Sequence, residues 1–445
     1  MKRILLVFIC MVLVHTTFAQ WAPLGTGPGG TIRALCVHKG QLYAGGDFAG
    51  LVKRWNGASW VAVGSLSGTS TPKVNALISF NDQLYAGGSF SLSSSNFNVA
   101  RWNESSSTWV AVGEGLQGAA GSQVKAFCIY SQSLIAGGTF TQTGLAPVSK
   151  VGKFNGTAWV QMGPGAPTNC LSGVHAMSVH SSELHVAGEG SAPWINKLNL
   201  LTGQWDNLIN GLTQGSGIYA LNSFKYNSAF TPSLFIGGAF SQPFSNCCQY
   251  SSGGWGSVLN PFSGTRVNCF TSSFNSMDNT GYIYAGGIFA VNGATNIARR
   301  PIQGAWTSVG TETFNGGLNA LCFWNGNLIA GGDFTSPGTN AAKFATTIGV
   351  EEINENVIVN NVFPNPVIKD ALLKVQTKEQ MQQPELRMMD GNGNEVSFHA
   401  DLVKFDHSSN EVEYKISSEG LAAGLYYYML IDKQQNIASG KLIIE

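Results

Sequence analysis

The chain has 445 residues, with 25 Lys/Arg against 25 Asp/Glu and only 11% charged residues. A balanced charge, no basic run and no long helical period exclude nucleic acid as an expected partner. Gly at 55 residues and aromatics at 11% point to an all-β chain with many tight turns.

In chain order, Lys2 and Arg3 precede an apolar run from Ile4 to Val14, and Thr17-Phe18-Ala19 supplies small residues at the −3 and −1 positions. Residues 1–19 therefore read as a secretory signal peptide. The run is too short to span a bilayer, and no later segment is long and apolar enough to be transmembrane.

From residue 20 to 348 the chain repeats itself. The phrase Leu42-Tyr43-Ala44-Gly45-Gly46-Asp47-Phe48 returns in forms ending at Phe90, Phe140, Phe240, Phe289 and Phe334, with a worn copy at 184–190. Its first Gly (Ala187 in the worn copy) recurs after 42, 50, 50, 50, 49 and 45 residues, a period that means an array or a propeller. Each unit closes on a Trp-led strand, at Trp60, Trp109, Trp159, Trp205, Trp255 and Trp306 to Gly310. A seventh such phrase, Trp21 to Gly25, stands ahead of the first glycine pair, and the last pair, Gly331-Gly332, has none after it. A ring explains this, because an N-terminal strand can complete the last blade and remove an open edge. The expected fold is all-β, a seven-bladed β-propeller closed by its N-terminal strand, followed by a small C-terminal β-sandwich.

Four short strands fit each unit. In the second they are Val74 to Phe80, Leu84 to Phe90, Val99 to Trp102 and Trp109 to Gly113. The turns between first and second strands (Lys39-Gly40, Asn81-Asp82, Ser181-Ser182, Asn325-Gly326) are tight. Asn56-Gly57 and Asn155-Gly156, between third and fourth strands, suggest two-residue hairpins. Longer loops are expected around Asn227–Pro232 and Asn275–Thr280. The remaining connections vary in length and share one face, where binding on a rigid scaffold usually resides.

Positions filled alike in every unit serve the scaffold: the glycine pair, the Phe after it and the Trp. A basic residue in the third strand (Arg54, Arg101, Lys153, Lys197, Arg299, Lys343, with Gln249 in the fifth unit) also reads as scaffold, its stem lying on an aromatic. One slot varies. It holds Arg33, Asn75, Lys125, His175, Tyr219, Asn268 and Asn319, at the start of the first strand and the mouth of the channel. These seven are the candidate ligand-binding residues, able to hydrogen-bond a sugar or peptide. The alternative is a plug that only satisfies the channel.

Catalytic patterns are scarce. There is no G-x-S-x-G and no H-E-x-x-H, and residues 20–349 carry 15 Lys/Arg but only 10 Asp/Glu. Asp47, Glu189 and Asp333 share the slot after the glycine pair and are the best acids for an enzyme reading. His175, His180 and His185 sit five apart, but only His180 and His185 flank one hairpin, and two imidazoles are too few for a zinc site, so no metal and no cofactor is expected. Cys36, Cys128 and Cys322 occupy one slot and read as small apolar residues, and no disulfide is selected.

Residues 349–360 form a polar linker with Glu351, Glu352 and Glu355. Residues 361–445 carry Phe363-Pro364-Asn365-Pro366, then Leu386 to Gly391, Leu421-Ala-Ala-Gly424-Leu-Tyr426-Tyr-Tyr428 and Gly440-Lys441-Leu-Ile-Ile444 in order. This stretch resembles the type A C-terminal sorting domain of cargo for the type IX secretion system of Bacteroidetes, with Phe363 where the family has Tyr. The resemblance implies a small β-sandwich that engages the secretion machinery. It implies that the body crosses the outer membrane, to be attached to surface lipopolysaccharide or released. Asp390-Gly-Asn-Gly-Asn394 is expected to be a hairpin turn, since it lacks the sixth-position glycine of a calcium loop. The body resembles Kelch-like propellers, including galactose oxidase central domains and fungal cortical marker proteins of bud-site selection, a fold-level likeness that implies no activity. The expected function is a secreted or surface-bound, monomeric, non-enzymatic module for a glycan or protein ligand. The alternatives are an extracellular carbohydrate-active enzyme and a structural surface scaffold.

Overall fold

The computed structural model describes residues 20–344 and 357–444, except 69–70, 93–96, 166, 168–169, 171, 191–194, 209–211, 213, 226–230, 243, 252–253, 259, 276–279, 302–303, 366, 379, 391–395, 423 and 433–434. The expected signal peptide, residues 349–356 of the expected linker, Pro366 and the Gly391–Asn394 turn lie outside these. Among the described residues no helix is long and apolar enough to cross a membrane.

The body is all-β, a propeller-like series of antiparallel sheets. Seven sheets each begin at an inner strand: Ile32–His38, Lys73–Phe80, Val124–Tyr130, Gly173–His180, Gln214–Phe224, Ser263–Asn275 and Leu318–Trp324. We number the repeats one to seven by these strands. Each inner strand packs on the next, and Leu318–Trp324 packs on Ile32–His38. The outermost strand of the seventh sheet is Trp21–Pro23, which pairs Trp21 with Phe344, Ala22 with Lys343 and Pro23 with Ala342.

Turn chemistry sets the register. Lys39-Gly40, Asn81-Asp82, Ser181-Ser182 and Asn325-Gly326 have positive φ at both residues, the two-residue turn that matches strand twist. The turns at Asn56 and Asn155 differ from expectation. Trp55 pairs with Trp60 and Phe154 with Trp159, so each is a four-residue loop. The reason is the Asn side chain: Asn56 Oδ1 accepts from the N–H groups of Ala58 and Ser59, and Asn155 Oδ1 from those of Thr157 and Ala158. Trp306 also departs from expectation, because its strand reduces to one bridge between Thr307 and Arg299 in a three-stranded sheet.

The glycine pair has two separate duties. A methyl group on Gly45 would press on Val74 Cγ1 of the next repeat at 2.5 Å, and one on Gly237 on Val267 Cγ1 at 2.6 Å. A methyl group on the second glycine would collide with a backbone carbonyl of its own sheet: Thr31 for Gly46, Lys73 for Gly88, Gln123 for Gly138. The first glycine therefore admits the neighbouring sheet, and the second admits the inner strand of its own. The core lies between successive sheets. Tyr43, Leu51 and Val63 of repeat one meet Val74, Phe90 and Trp109 of repeat two in one buried cluster.

Five outer tryptophans link the sheets by one repeated bond, while the buried Trp306 indole N–H has no such partner. In the five, the indole N–H donates to a carbonyl of the preceding sheet: Trp60 to Leu24 at 3.0 Å, Trp109 to Val63 at 2.7 Å, Trp159 to Val112 at 3.0 Å and Trp205 to Met162 at 3.3 Å. Trp21 donates to Val309 at 2.7 Å, so the N-terminal strand joins the same relay.

The tail has a four-stranded sheet (Val357–Phe363, Asp370–Thr377, Glu411–Ser417, His399–Asp406) and a three-stranded sheet (Glu385–Asp390, Gly424–Asp432, Gln435–Ile444) on one shared core. Its first strand begins at Val357, inside the stretch expected as linker. Tyr426 and Tyr428 point into the core while Tyr427 does not, the alternation of a sheet with one buried face.

Candidate functional site

The seven slot residues share a backbone feature that sequence reading missed. In every inner strand the pairing register slips at the slot: between Ile32 and Ala34, Val74 and Ala76, Val124 and Ala126, and Val174 and Ala176. The same slip falls between Ile218 and Ala220, Val267 and Cys269, and Leu318 and Ala320. Arg33, Asn75, Lys125, His175, Tyr219, Asn268 and Asn319 are therefore the extra residues of seven β-bulges. A bulge re-aims its side chain and leaves the ladder, and such residues gather beside binding sites. The glycine pair, or Ala187-Gly188 in repeat four, faces the residues on either side of each bulge. The one available signal was a polar residue of varying type, twelve positions before the glycine pair (Ala187-Gly188 in repeat four) in five repeats and eighteen before it in the other two.

Three of the seven act as clamps. Asn75 Nδ2 donates to Val124 O at 2.9 Å, Asn268 Nδ2 to Leu318 O at 2.9 Å and Asn319 Nδ2 to Ile32 O at 3.2 Å. Each holds the strand residue just before the next slot. These asparagines tie each of their inner strands to the next.

The other four carry different chemistry. Arg33 grips Asp47 with two parallel bonds, Nη2 to Oδ2 at 2.7 Å and Nε to Oδ1. Lys125 Nζ donates to His175 Nε2. His175 Nε2 lies 3.5 Å from Glu189 Oε2, and its ring meets Tyr219 edge-on at 5.3 Å. Tyr219 donates its hydroxyl to Glu189 Oε1 at 2.9 Å, and the Arg266 guanidinium lies over the Tyr219 ring at 5.5 Å. Arg266 Nε in turn donates to Asn268 Oδ1 at 2.8 Å.

Charge in this cluster is shifted by burial. Burial pushes the His175 imidazole down to about 4, with Lys125 and Arg266 adding to the effect and Glu189 opposing it. The ring is neutral at pH 7, and accepting from Lys125 at Nε2 places its proton on Nδ1. Burial also lowers Lys125; Glu189 opposes this, while Lys73 and Arg33 push the same way. Tyr219 is raised by burial first, and its bond to Glu189 adds to this. Glu189 thus sits among Lys125, His175, Tyr219 and Arg266, a mouth able to present several donors to an oxygen-rich ligand.

Two of the candidate acids are engaged: Asp47 is bonded by Arg33, and Glu189 by Tyr219. Asp333 is exposed, with its N–H on Gly317 O at 3.0 Å. Among the described residues no group of three or more His, Cys, Asp or Glu could hold a metal ion. His180 and His185 are cross-strand neighbours with centroids 5.6 Å apart. Both are buried, and burial lowers His180 and takes His185 down to about 4. They pack the core. The seven described cysteines are all free thiols, and burial pushes Cys36 and Cys128 up to about 11. The third-strand bases make contacts within their own sheets. Arg54 and Arg101 each donate to a Gln at 2.9 Å, and Arg299 lies 5.1 Å over Tyr282.

Sequence reading also missed four asparagines that anchor the variable loops. Asn98, Asn246, Asn296 and Asn340 have φ of 70°, 58°, 63° and 62°, a region Asn tolerates. Asn98 accepts from Phe90 N and donates to Leu116 O, and Asn296 bonds Phe289 N and Phe314 O in the same way.

In the tail, Asn365 Oδ1 accepts from Ile443 N at 2.9 Å, tying the motif to the last strand. Phe363 is 75% exposed and precedes a cis bond to Pro364. Gly424 opens the Gly424–Asp432 strand, and Tyr426 donates to Ala422 O at 2.9 Å. Gly440 is glycine because any side chain would strike the Tyr428 ring. The Lys441 side chain lies outside the described residues.

No curated protein matches the chain. Among solved structures, the chain is similar to the β-propeller domain of Cps50 (Swd1) from Myceliophteria thermophila. That match is 11% identical with a TM-score of 0.43, and covers 73% of this chain and 98% of that one. Residues 361–445 match the family described as the secretion system C-terminal sorting domain. The chain thus carries a C-terminal sorting domain of type IX secretion cargo, behind an all-β body of propeller-like sheets.

Proposed function

We propose that residues 20–348 form a closed, seven-bladed, Kelch-like propeller that binds a glycan or protein and does no chemistry on it. The type IX route delivers it, as a monomer, to the cell surface or medium. Closure is supported by the return of the inner-strand order to its start and by the Trp21–Pro23 strand on the seventh sheet. The binding reading is carried by one observation: seven side chains of differing chemistry stand on seven matching bulges at one end of the inner strands. Arg33, Lys125, His175 and Tyr219 are the residues that would meet ligand, and Asn75, Asn268 and Asn319 support them. Asp47 and Glu189 are committed to an ion pair and a hydrogen bond, which favours recognition over acid catalysis.

The test is retention of the mature protein on immobilised polysaccharides and glycoproteins, with mass spectrometry of the eluted ligand. Replacing Arg33, Lys125 and His175 together by Ala should cut affinity at least tenfold, about 1.4 kcal/mol, and leave a cooperative melt. Unchanged affinity would overturn the site, and ligand breakdown products would overturn the non-enzymatic reading. Deleting 361–445 should leave the body in the periplasm, and normal surface display of that truncation would contradict the delivery route.

A further inference from the structure

A second pocket lies at the other end of the inner strands, where repeat seven meets repeat one. Its volume is about 330 Å³, and Gln41, Arg54, Trp55, Asn56, Gly57 and Trp324 line it. That is the low end of the roughly 300–1,000 Å³ typical of small-molecule sites, enough for a single ring. Both indoles are partly exposed and held in place. Trp324 donates its N–H to Gly40 O at 2.8 Å, and Trp55 packs on Trp60 at 5.6 Å between centroids.

The next junction shows what the scaffold alone requires. Between repeats one and two, His38 takes the place of Trp324, Lys39 that of Asn325, and Glu104 that of Gly57. Lys39 Nζ meets both Glu104 carboxylate oxygens at 3.0 Å, and His38, only 2% exposed, bonds Ser79 Oγ at 2.8 Å. An ion pair fills that junction. At the first repeat the same space is open, because Gly57 has no side chain and Asn325 is short. Trp55 recurs as Trp102 in repeat two, packed on its outer Trp in the same way, so the partly exposed Trp324 is the aromatic face that the scaffold does not need.

We propose that this pocket binds one hexose ring. A pyranose has faces of C–H groups that suit an indole and a rim of hydroxyls that need donors and acceptors. Arg54 and Gln41 supply these from one preorganised pair, Nη1 to Oε1 at 2.9 Å. No carboxylate lines the pocket, so nothing there calls for a cation. The site stands apart from the channel mouth and does not depend on it.

The test uses the mature protein with methyl glycosides of glucose, galactose, mannose and N-acetylglucosamine, read by saturation-transfer NMR and tryptophan fluorescence. At least one sugar should bind. Trp324→His, a side chain the fold already accepts at residue 38, should weaken it about tenfold or more, and Arg54→Gln should do the same. The triple Ala variant at Arg33, Lys125 and His175 should bind it as before. Silence from all four sugars overturns the proposal. So does unchanged binding in both pocket variants, or loss in the channel-mouth variant alone.

Discussion

The body carries two series of polar contacts, and they behave differently. Along the outside, Trp21, Trp60, Trp109, Trp159 and Trp205 make the same indole bond to the same kind of carbonyl. Along the channel, seven bulges share one backbone shape but hold Arg, Asn, Lys, His or Tyr. The outer side chain is itself the wedge between sheets, so its identity is constrained by packing. The inner side chain leaves the ladder toward the mouth, so only its backbone is constrained. Shape is repeated where it supports the sheets, and chemistry varies where the side chain is released from them.

The comparison breaks most easily at the outside. Trp109→Ala should cost about 3–5 kcal/mol in denaturant unfolding, for lost packing and a carbonyl without its donor. Trp109→Phe should cost less, nearer 1–2 kcal/mol. A cost below about 1 kcal/mol for Trp109→Ala would remove the outer contacts from the scaffold.

Acid should sharpen it in repeat four. His185 is 1% exposed and held down to about 4, below its ordinary 6.5. A depressed folded-state value means the unfolded chain binds the proton first. The stability that neutral His185 contributes is present above pH 6.5 and is lost as pH falls toward 4. The full effect is roughly 3 kcal/mol. His185→Tyr, the residue at Tyr43 and Tyr85 in the same slot, should flatten the stability-versus-pH curve between pH 6.5 and 4. An identical curve would show that other groups govern acid sensitivity.

The smallest effects should separate the two kinds of slot residue. Asn268→Ala removes a clamp on Leu318 and should cost about 1–2 kcal/mol of stability without weakening ligand binding. Lys125→Ala removes a half-buried charge and should change stability by less than about 0.5 kcal/mol while weakening binding. The reverse pattern would mean that the mouth is only a plug.

Much of this was legible because repetition exposes it. The glycine pair, the Phe and the Trp announce the sheets, and the tail announces itself through Phe363 to Pro366 and Gly424 to Tyr428. The bulges were not legible, since a register slip depends on where a partner carbonyl can approach Gly46 or Gly88. The loop at Asn56 misled because Asn-Gly suits a two-residue turn, whereas here the Asn side chain caps two further N–H groups. The Lys125, His175, Glu189 and Tyr219 cluster joins residues from three repeats, and only the third dimension brings them together. The seam pocket was hidden for a similar reason, as Gly57 and Trp324 lie 267 positions apart in the chain.

The three-residue pairing of Trp21–Pro23 with Ala342–Phe344 has a mechanical consequence. Phe344 also ends the Ala341–Phe344 strand of the seventh sheet, on the side of the chain that runs on to the tail. Tension applied through the tail therefore enters the body at a three-residue joint, one side of which is the N-terminal strand. Held by the Trp21 indole bond to Val309, that joint sets the load at which a tethered body would start to peel open, sheet by sheet, from repeat seven.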